Sequence, residues 1–481
     1  MGVITIGTKD WVKGVSTSDD IPDGGFSPAV KGQNLLSNLG TMNQGTALTT
    51  IDANVVHEIY AASDDELGTT AVNLLYFVGR DSAAATTGKF YKWDAIANEP
   101  TVALTDTSGG TRTYSSSISQ MEYYNNEIFV TSSVDVTRMT SGMAAFDSTQ
   151  ASWWVTTESK TALNTGVAHP MIKFDKKLWI ADKYSLHSWD GTTAVEDVLD
   201  LTAKESGVIM ALAKDPTTGN MLIATSPNTS DVTNHIGKIY SWDGFSPVPN
   251  TVATIRGYIT ALFVVNSTVY VFYDDMVGFW NGSGVTPLRK LDIDRSTADY
   301  IFRSRVTSVG DTLLITEQNS ILAYGPIISG GKKVWHYPYT ATNNIGLIHN
   351  ISSNKVALAD INTTSTVFGH IDLDTSVATT STKVRTNKYY LPSNSRIKKV
   401  EVLTNALVSP GALTVQLRKS STPTTDTTLG TFNTATSAQH TFDAYNAQTA
   451  SVQLTITLNG QNDDIQLKQV KIYYEPVEKQ V

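Results

Sequence analysis

Short apolar segments separated by tight turns recur along most of the chain. A typical copy reads MIKF-DK-KLWIAD, followed by a third segment, LHSWDG, that ends in a large aromatic residue. The turns contain Asn, Asp, Gly or Ser, which tolerate the positive φ of short hairpin loops. The segment after each turn is apolar at successive positions, as from Tyr270 to Tyr273, which is typical of a strand buried on both faces. The pattern therefore predicts a series of β-hairpins.

Seven copies of this unit can be aligned on the bulky residue of the third segment. Successive copies are 46, 50, 53, 38, 44 and 44 residues apart. This is the repeat length of a β-propeller, in which each blade is a small antiparallel sheet. We therefore expect an all-β chain with a propeller of about seven blades over residues 51–378. The aligned residues are Trp93, Met139, Trp189, Trp242, Trp280, Tyr324 and Phe368.

Two alternatives stay open for this pattern. The hairpins could be unrelated units of a β-sandwich, and the Trp of each WDG ending could contact a ligand. The longer motif of WD40 propellers is absent. We interpret Trp189 and Trp242 as packing residues, because large aromatic side chains mostly fill cores.

One segment between the third and fourth copies has a helical period. Val195, Val198 and Leu199 follow a spacing near 3.6 residues, and Gly207 interrupts the pattern. We expect a short helix here, as an excursion between two blades.

The first 50 residues do not match the repeat. Pro22, Gly24, Gly25 and Pro28 discourage regular structure, so residues 1–50 are predicted to be an extended arm. Apolar residues give this arm anchors for docking on a neighbouring subunit. The predicted partner-binding residues of the arm are Pro22, Phe26, Pro28, Leu35 and Leu36.

A different pattern begins after the small, hydroxylated stretch SVATTST at residues 376–382. Five strand candidates follow within residues 383–477, and the alternation from Val452 to Leu458 predicts a strand with one buried face. Ile465 and Leu467 share one phase, whereas Val470 starts another, so we expect a β-bulge near Lys468 and Gln469. The segment is predicted to be an antiparallel β-sandwich.

Composition and charge exclude several classes of function. The 481 residues contain no Cys, which removes disulfides, thiolate nucleophiles and Cys-based metal sites. The net charge is −9 with dispersed Lys and Arg, so no sequence-specific binding of nucleic acid is expected. The N-terminus lacks the pattern of a secretory signal, and no apolar run approaches the ~20 residues that span a bilayer. We expect synthesis in a cytoplasm and no membrane anchor.

Few residues suggest catalysis or cofactor binding. The eight His residues never form an i,i+4 pair, so neither a metal site nor a cofactor is predicted. Asp274 with Asp275, and Asp292 with Asp294, could serve a propeller glycosidase, which needs two carboxyl groups. Solvated turns explain such residues better. A sialidase would need clustered arginines, for which Arg256, Arg303 and Arg305 are the candidates, but its repeated Asp-box is absent. We expect no enzyme and no catalytic residue.

The opening KGVSTSDDIPDGGFSPAVKGQNLL resembles the N-terminal arm of propeller-bearing structural proteins in tailed bacteriophages, including tail nozzle proteins of short-tailed phages. The resemblance spans about 30 residues. It implies a virion subunit in a homo-oligomeric ring, commonly six-fold, that contacts adaptor and fibre proteins. Nozzle proteins are often longer, so a collar, fibre-attachment or receptor-facing role is equally open.

We therefore expect a structural protein of the phage tail that acts through protein–protein contacts and resides in the virion. The first alternative is a receptor- or glycan-binding tail module, with Tyr389, Tyr390 and Tyr445 as candidate sugar contacts. The second is a propeller glycoside hydrolase.

Overall fold

The computed structural model of the chain describes its main strands and turns. The described residues are 1–7, 10, 13, 34–35, 42–43, 48–56, 58–64, 74–80, 89–94, 99–105, 114–115, 118–140, 152–202, 207–227, 235–293, 300–326, 332–351, 355–361, 366–373, 382–405, 412–419, 422–432, 438–459 and 465–477. In several of these strands only the backbone is described.

The first four strands precede the repeating unit in the sequence. They are β1 (Gly2–Gly7), β2 (Asn34–Leu35), β3 (Met42–Asn43) and β4 (Leu48–Val56). Three of them join the C-terminal sheet, and β4 joins the last blade.

The first four blades follow in chain order, each an antiparallel sheet. Blade 1 contains β5 (Glu58–Asp64), β6 (Leu74–Arg80), β7 (Lys89–Asp94) and β8 (Glu99–Thr105). Blade 2 contains β9 (Met121–Tyr124), β10 (Glu127–Thr131) and β11 (Val136–Thr140). Blade 3 contains β12 (Met171–Phe174), β13 (Lys177–Asp182), β14 (Ser185–Trp189) and β15 (Ala194–Asp200). Blade 4 contains β16 (Gly207–Lys214), β17 (Met221–Pro227), β18 (Ile236–Trp242) and β19 (Asn250–Arg256).

Three further blades complete the repeating part. Blade 5 contains β20 (Ile259–Val265), β21 (Thr268–Tyr273), β22 (Met276–Trp280) and β23 (Val285–Lys290). Blade 6 contains β24 (Val306–Val309), β25 (Thr312–Glu317), β26 (Ser320–Pro326) and β27 (Lys333–Thr340). Blade 7 contains β28 (Asn344–Asn350), β29 (Lys355–Ile361), β30 (Thr366–Asp372) and, as its fourth strand, β4.

The blades form a closed ring. Among the described residues, six of these sheets have four strands and the sheet of blade 2 has three. The innermost strands contact one another in sequence, from β5 through β9, β12, β16, β20 and β24 to β28, and β28 contacts β5 again. The prediction of an all-β propeller of about seven blades is confirmed.

The ring closes through a strand from the N-terminal side of the repeat. In blade 7, Val56 of β4 lies opposite Thr366 and Leu48 lies opposite Ile371. At the same seam Phe77 of blade 1 stacks on Phe368 of blade 7, with ring centroids 4.9 Å apart. Pairing the two ends of the repeat gives the last blade its fourth strand, a feature that the sequence pattern did not predict.

The aligned bulky residues all lie on the third strand of a blade, and they fill the space between blades where their side chains are described. Trp189 and Trp242 are 3% and 1% exposed. The Trp242 ring meets Trp179 of blade 3 edge to face, with centroids 5.0 Å apart. The interpretation of these two tryptophans as packing residues is therefore confirmed.

The hairpin turns have the predicted backbone conformation. Asn125 and Asn126 have φ of 52° and 65°, and Asn266 has φ of 52°. The strands that follow are buried at nearly every position, as in β13 and β21, because neighbouring blades cover both faces.

The helix expected between blades 3 and 4 is absent from the described part of that segment. Its residues form the outermost strand β15 and the innermost strand β16. Leu199 is buried against blade 4 while Val195 is 44% exposed. Tertiary packing has overridden the weak helical period.

The C-terminal strands form the predicted antiparallel sandwich. They are β31 (Thr382–Arg385), β32 (Tyr389–Thr404), β33 (Ala412–Lys419), β34 (Thr422–Phe432), β35 (Gln439–Asn459) and β36 (Leu467–Pro476). The long strands β32 and β35 shift register between Tyr390 and Ser395, and in the described chain they belong to one continuous nine-stranded sheet that folds over its own core. Val400 and Val402 share one buried cluster with Leu454 and Ile456.

The predicted β-bulge is also present. Gln469 pairs with Leu403 and Leu467 pairs with Thr404, so Lys468 between them has no opposite residue in β32. This extra residue returns both Leu467 and Val470 to the core.

Candidate functional site

The arm residues proposed from the sequence fall mostly outside the described residues. Pro22, Phe26, Pro28 and Leu36 are among those not described. Leu35 lies on β2, where only the backbone is described. Strand β2 pairs with β3 and contacts β27 of blade 6, so this part of the arm lies between the sandwich and the propeller.

The three tyrosines proposed as sugar contacts do not form one platform. Tyr390 is 57% exposed, and the Lys388 ammonium lies 5.2 Å from its ring centroid. Tyr389 is half-buried and, as the adjacent residue of β32, points to the opposite face. Tyr445 lies on β35 with only its backbone described.

Three of the four aspartates considered for a glycosidase lie among the described residues, and each contacts a neighbouring group of the chain. Asp274 has φ of 47°, and its Oδ1 accepts a hydrogen bond of 2.9 Å from the Tyr258 backbone N–H. Asp275 lies 3.2 Å from Lys290 Nζ. Asp292 donates its backbone N–H to Glu317 Oε1, and Asp294 is outside the described residues.

The three arginines considered for a sialidase do not all lie together, because Arg303 and Arg305 share one short turn and Arg256 lies on another blade. Arg256 lies on β19, the outermost strand of blade 4, whereas Arg303 lines the central channel. Arg305 donates to the backbone carbonyl of Tyr300 over 3.4 Å. The contacts of Asp274 and Asp275 agree with the turn role predicted for the aspartates.

A buried polar cluster that sequence reasoning missed lies at the end of β13 in blade 3. Asp182 accepts hydrogen bonds from Asn164, from the backbone N–H at 2.9 Å and from Nδ2 at 2.8 Å. Nδ1 of His169, a fully buried residue, lies 3.4 Å from Asp182. His187 Nδ1 accepts the Asp197 backbone N–H, so its proton is on Nε2, which faces Asp182 at 4.0 Å.

This cluster shifts two pKa values. Burial lowers the pKa of His169, although Asp182 opposes the shift. Burial alone would raise the pKa of Asp182, but the nearby His187 and His169 and the hydrogen bonds from Asn164 outweigh it and lower that pKa. These interactions tie blade 3 to the segment that precedes it.

A second buried network joins blades 5 and 6. The Tyr337 hydroxyl donates to Glu317 Oε2 over 2.7 Å, and Arg289 Nη2 donates to the Tyr337 oxygen over 3.4 Å. Glu317 is 1% exposed. Burial and the Glu317 charge raise the pKa of Tyr337. The arrangement is closed and packed, which is typical of a structural network.

The central channel of the propeller is narrow and widens at one mouth. The narrow part has a volume of about 60 Å³ and is lined by residues of six blades and by Arg303 and Ser304, which precede blade 6. The mouth has a volume of about 570 Å³. It opens on the face of the propeller that carries the turns after the innermost strands, and we name this face the turn face. It is lined by Glu122, Lys214, Phe263 and Arg303, and the Arg303 guanidinium carbon lies 4.5 Å from the Phe263 ring centroid.

The turn face also carries the most exposed aromatic residue of the described chain. Phe245, in the loop between β18 and β19, is 79% exposed, and Val248 in the same loop is 49% exposed. The two large apolar side chains thus stand in solvent on one loop of blade 4.

Hydrogen bonds fix the conformation of this loop. Asp243 Oδ1 accepts the backbone N–H groups of Phe245 and Ser246 at 2.9 and 2.7 Å, and its Oδ2 accepts the Ser246 hydroxyl at 2.6 Å. Gly244 has φ of 89° and approaches Phe174 so closely that a Cβ would lie 3.1 Å from that ring. Phe245 is thereby held in place in the unbound chain.

Among the described residues, no group of three or more His, Cys, Asp or Glu side chains is placed to hold a metal ion. No helix in the same part of the chain has the length and hydropathy to cross a membrane.

No protein-family model and no curated protein matches this chain. Among solved structures it is similar to the computationally designed Ika8 protein, with 14% identity, a TM-score of 0.40, and coverage of 68% of this chain and 100% of the other. It is also similar to the extracellular domain of a hybrid two-component system from B. thetaiotaomicron, with 9% identity, a TM-score of 0.43, and coverage of 90% and 61%. A third match is exo-β-1,3-galactanase from Phanerochaete chrysosporium, with 10% identity, a TM-score of 0.33, and coverage of 88% and 100%. Likenesses at these values give no argument about function.

Proposed function

We propose that this chain is a structural assembly protein that acts through protein–protein contacts and performs no catalytic step. The observation that carries the proposal is Phe245, an exposed aromatic side chain on a loop already fixed by hydrogen bonds. Aromatic residues are frequent anchors of protein interfaces. A fixed loop also loses little conformational entropy when a partner binds.

The rigid ring of blades supports this role. Neighbouring blades share buried aromatic residues, and β4 closes the circle, so the turn face is a stiff surface for presenting a contact. The resemblance of the N-terminal segment to phage tail arms specifies the proposal further. The chain is then a ring subunit of a phage tail in the virion, with other copies, adaptor and fibre proteins as partners.

Sedimentation velocity over a concentration series tests the contact role of Phe245. We expect the wild-type chain to form assemblies larger than a dimer and Phe245→Asp to lose them. Ile236→Asp is the matched control, because Ile236 is 54% exposed in the same blade but lies on a strand. Unchanged assembly of Phe245→Asp, or a wild-type chain that never exceeds a dimer, would contradict the proposal.

Mass spectrometry of purified phage particles tests the virion assignment. The chain should be present in several copies per particle. Particles that are infectious and lack it would rule the assignment out.

The second candidate function is glycan binding by the sandwich, which the exposure of Tyr390 favours. Aromatic faces pack well against the apolar faces of sugars. A glycan array probed with the wild-type chain and with Tyr390→Ala separates the two candidates. Glycan binding that is lost in Tyr390→Ala would support the glycan-binding function. An array without signal for the wild-type chain would rule this function out.

A further inference from the structure

Strand β1 forms an edge of the C-terminal sheet. It pairs with β36 along its whole length, from Gly2 opposite Tyr474 to Gly7 opposite Gln469, and in the described chain it pairs with no other strand. Met1 and Val3 are 76% and 47% exposed beside it. An edge of this kind presents backbone donors and acceptors to any strand that can approach.

The sequence of β1 lacks the protection that the other outer strands have. It reads GVITIG, with no charged residue and no proline. Natural proteins place such residues on exposed edges to prevent pairing with other chains. Every other outer strand of four or more residues in the described chain has at least one: Asp52 in β4, Glu99 in β8, Arg138 in β11, Glu196 in β15, Arg256 in β19, Pro287 in β23, Pro338 in β27, Lys383 in β31 and Asp426 in β34.

The backbone polarity of the edge follows from one hydrogen bond. The Gly7 N–H donates to Asp10 Oδ2 over 3.0 Å, so it points away from β36. In an antiparallel pair the direction of the backbone groups alternates from residue to residue. The N–H and C=O groups of Val3 and Thr5 therefore also point to the open edge, whereas those of Ile4 point to β36.

We propose that β1 pairs antiparallel with β1 of a second copy of this chain, around a two-fold axis at Ile4. In this register Val3 lies opposite Thr5 of the other copy, and these outward-pointing residues exchange backbone hydrogen bonds on both sides of the axis. Ile4 lies opposite its own equivalent. Closed two-fold dimers are the commonest arrangement of identical subunits.

Two facts select this register and this occupant. A register centred on Thr5 would place Gly7, whose N–H donates to Asp10, opposite Val3 within the strand, whereas the Ile4 register places Gly7 opposite Met1, which lies outside β1. In the Ile4 register the inward residues Ile4 and Ile6 stay on the core side in both copies, so the cores of the two sheets continue across the axis. An uncharged strand also meets its own copy without charge repulsion.

Oligomeric state provides the first test. The test uses Phe245→Asp, because this variant should not form the larger assemblies. Light scattering after size exclusion should give this variant a mass of twice the 52.1 kDa of one chain. The double variant Phe245→Asp/Val3→Lys should have the mass of a single chain, because the added charge lies on the exposed edge strand β1. Adding Val195→Lys instead is the matched control, since Val195 is 44% exposed on the outer strand β15, and it should leave the dimer intact. A dimer that survives Val3→Lys would overturn the proposal.

Cysteine cross-linking tests the register in a chain that has no other Cys. Opposite residues of a non-hydrogen-bonded pair have Cα atoms about 4.5 Å apart, within the ~4.4–6.8 Å range of disulfides. Ile4→Cys should therefore give a covalent dimer under oxidation, and Thr5→Cys should give much less. Absence of the Ile4→Cys dimer, or preferential cross-linking of Thr5→Cys, would overturn the proposal. Phe245 is distant in sequence and on another domain, so failure of the ring proposal and failure of this one give different results.

Discussion

Trp242 Nε1 donates a hydrogen bond of 2.7 Å to the backbone carbonyl of Ser246. The indole ring is 1% exposed between blades 3 and 4, and Ser246 follows the exposed Phe245. The core of the propeller therefore holds the loop that presents Phe245.

Replacing this indole should loosen the loop as well as the core. Trp242→Phe removes the hydrogen bond and part of the buried ring, whereas Trp280→Phe removes a similar ring whose Nε1 has no partner in the described chain. We expect Trp242→Phe to be less stable than Trp280→Phe by about 1 kcal/mol, the net value of one hydrogen bond. Urea denaturation measures the difference, and equal losses would contradict it.

The loop should also respond to acid in a defined window. Hydrogen bonds from Ser246 and Phe245 lower the pKa of Asp243 to about 2. The order that this carboxylate provides is therefore complete above the ordinary Asp pKa of about 3.9. It is lost as pH falls through about 2. Amide hydrogen exchange at Phe245 and Ser246 should stay slow at pH 3 in the wild type and be fast in Asp243→Ala, and fast exchange in both would refute the role of the carboxylate.

Removing the buried carboxylate of blade 3 should destabilise the propeller strongly. Asp182→Ala removes the acceptor of both Asn164 hydrogen bonds and the carboxylate beside His169, and we expect a loss of about 3 kcal/mol. Asp197→Asn is the control, because the Asp197 side chain is 66% exposed and Asn tolerates the φ of 49° at this position. Similar losses in both variants, measured by thermal and chemical denaturation, would show that burial does not matter here.

Stability should also fall in mild acid because of buried histidine. The folded chain keeps the pKa of His169 below its usual value, whereas the unfolded chain binds a proton near pH 6.5. The unfolded state therefore gains protons first as pH decreases, and the free energy of unfolding drops below about pH 6.5. His169→Asn should reduce this slope between pH 7 and pH 5. If the dependence of the free energy of unfolding on pH is unchanged in His169→Asn, His169 does not cause the loss of stability in acid.

The seam between the first and last blades offers a test of ring closure. Phe368→Ala removes the ring that stacks on Phe77, and the cavity should cost about 3 kcal/mol. Phe279→Ala, at a half-buried residue of blade 5 away from the seam, is the comparison. A smaller loss at Phe368 than at Phe279 would show that the seam is not critical.

The sequence predicts the repeat because each blade has a local signature. Positive-φ residues such as Asn125, a doubly buried second strand and a bulky third-strand residue such as Trp189 recur at a regular distance. The bulge at Lys468 is predictable for the same reason, since alternation changes phase within a few residues.

The features that the sequence missed depend on distant pairing. Nothing near Leu48 indicates that this segment completes blade 7, and nothing near Asp182 indicates that His169 and His187 converge on it. The helix expected around Val198 was wrong because a short apolar period is outweighed by burial against blade 4. The exposed Phe245 was overlooked because a Phe beside Gly and Pro in a loop has no pattern of its own.

Strand β4 is synthesised before blades 1 to 6, yet its partner β30 follows roughly 300 residues later in the chain. During translation this strand must wait, with its hydrogen-bonding groups unpaired, until nearly the whole repeat has left the ribosome. Contacts between segments so far apart form slowly, since a long loop must close first. Ring closure is therefore expected to be the late, rate-limiting event of folding, and interrupted synthesis should yield open arcs prone to aggregation.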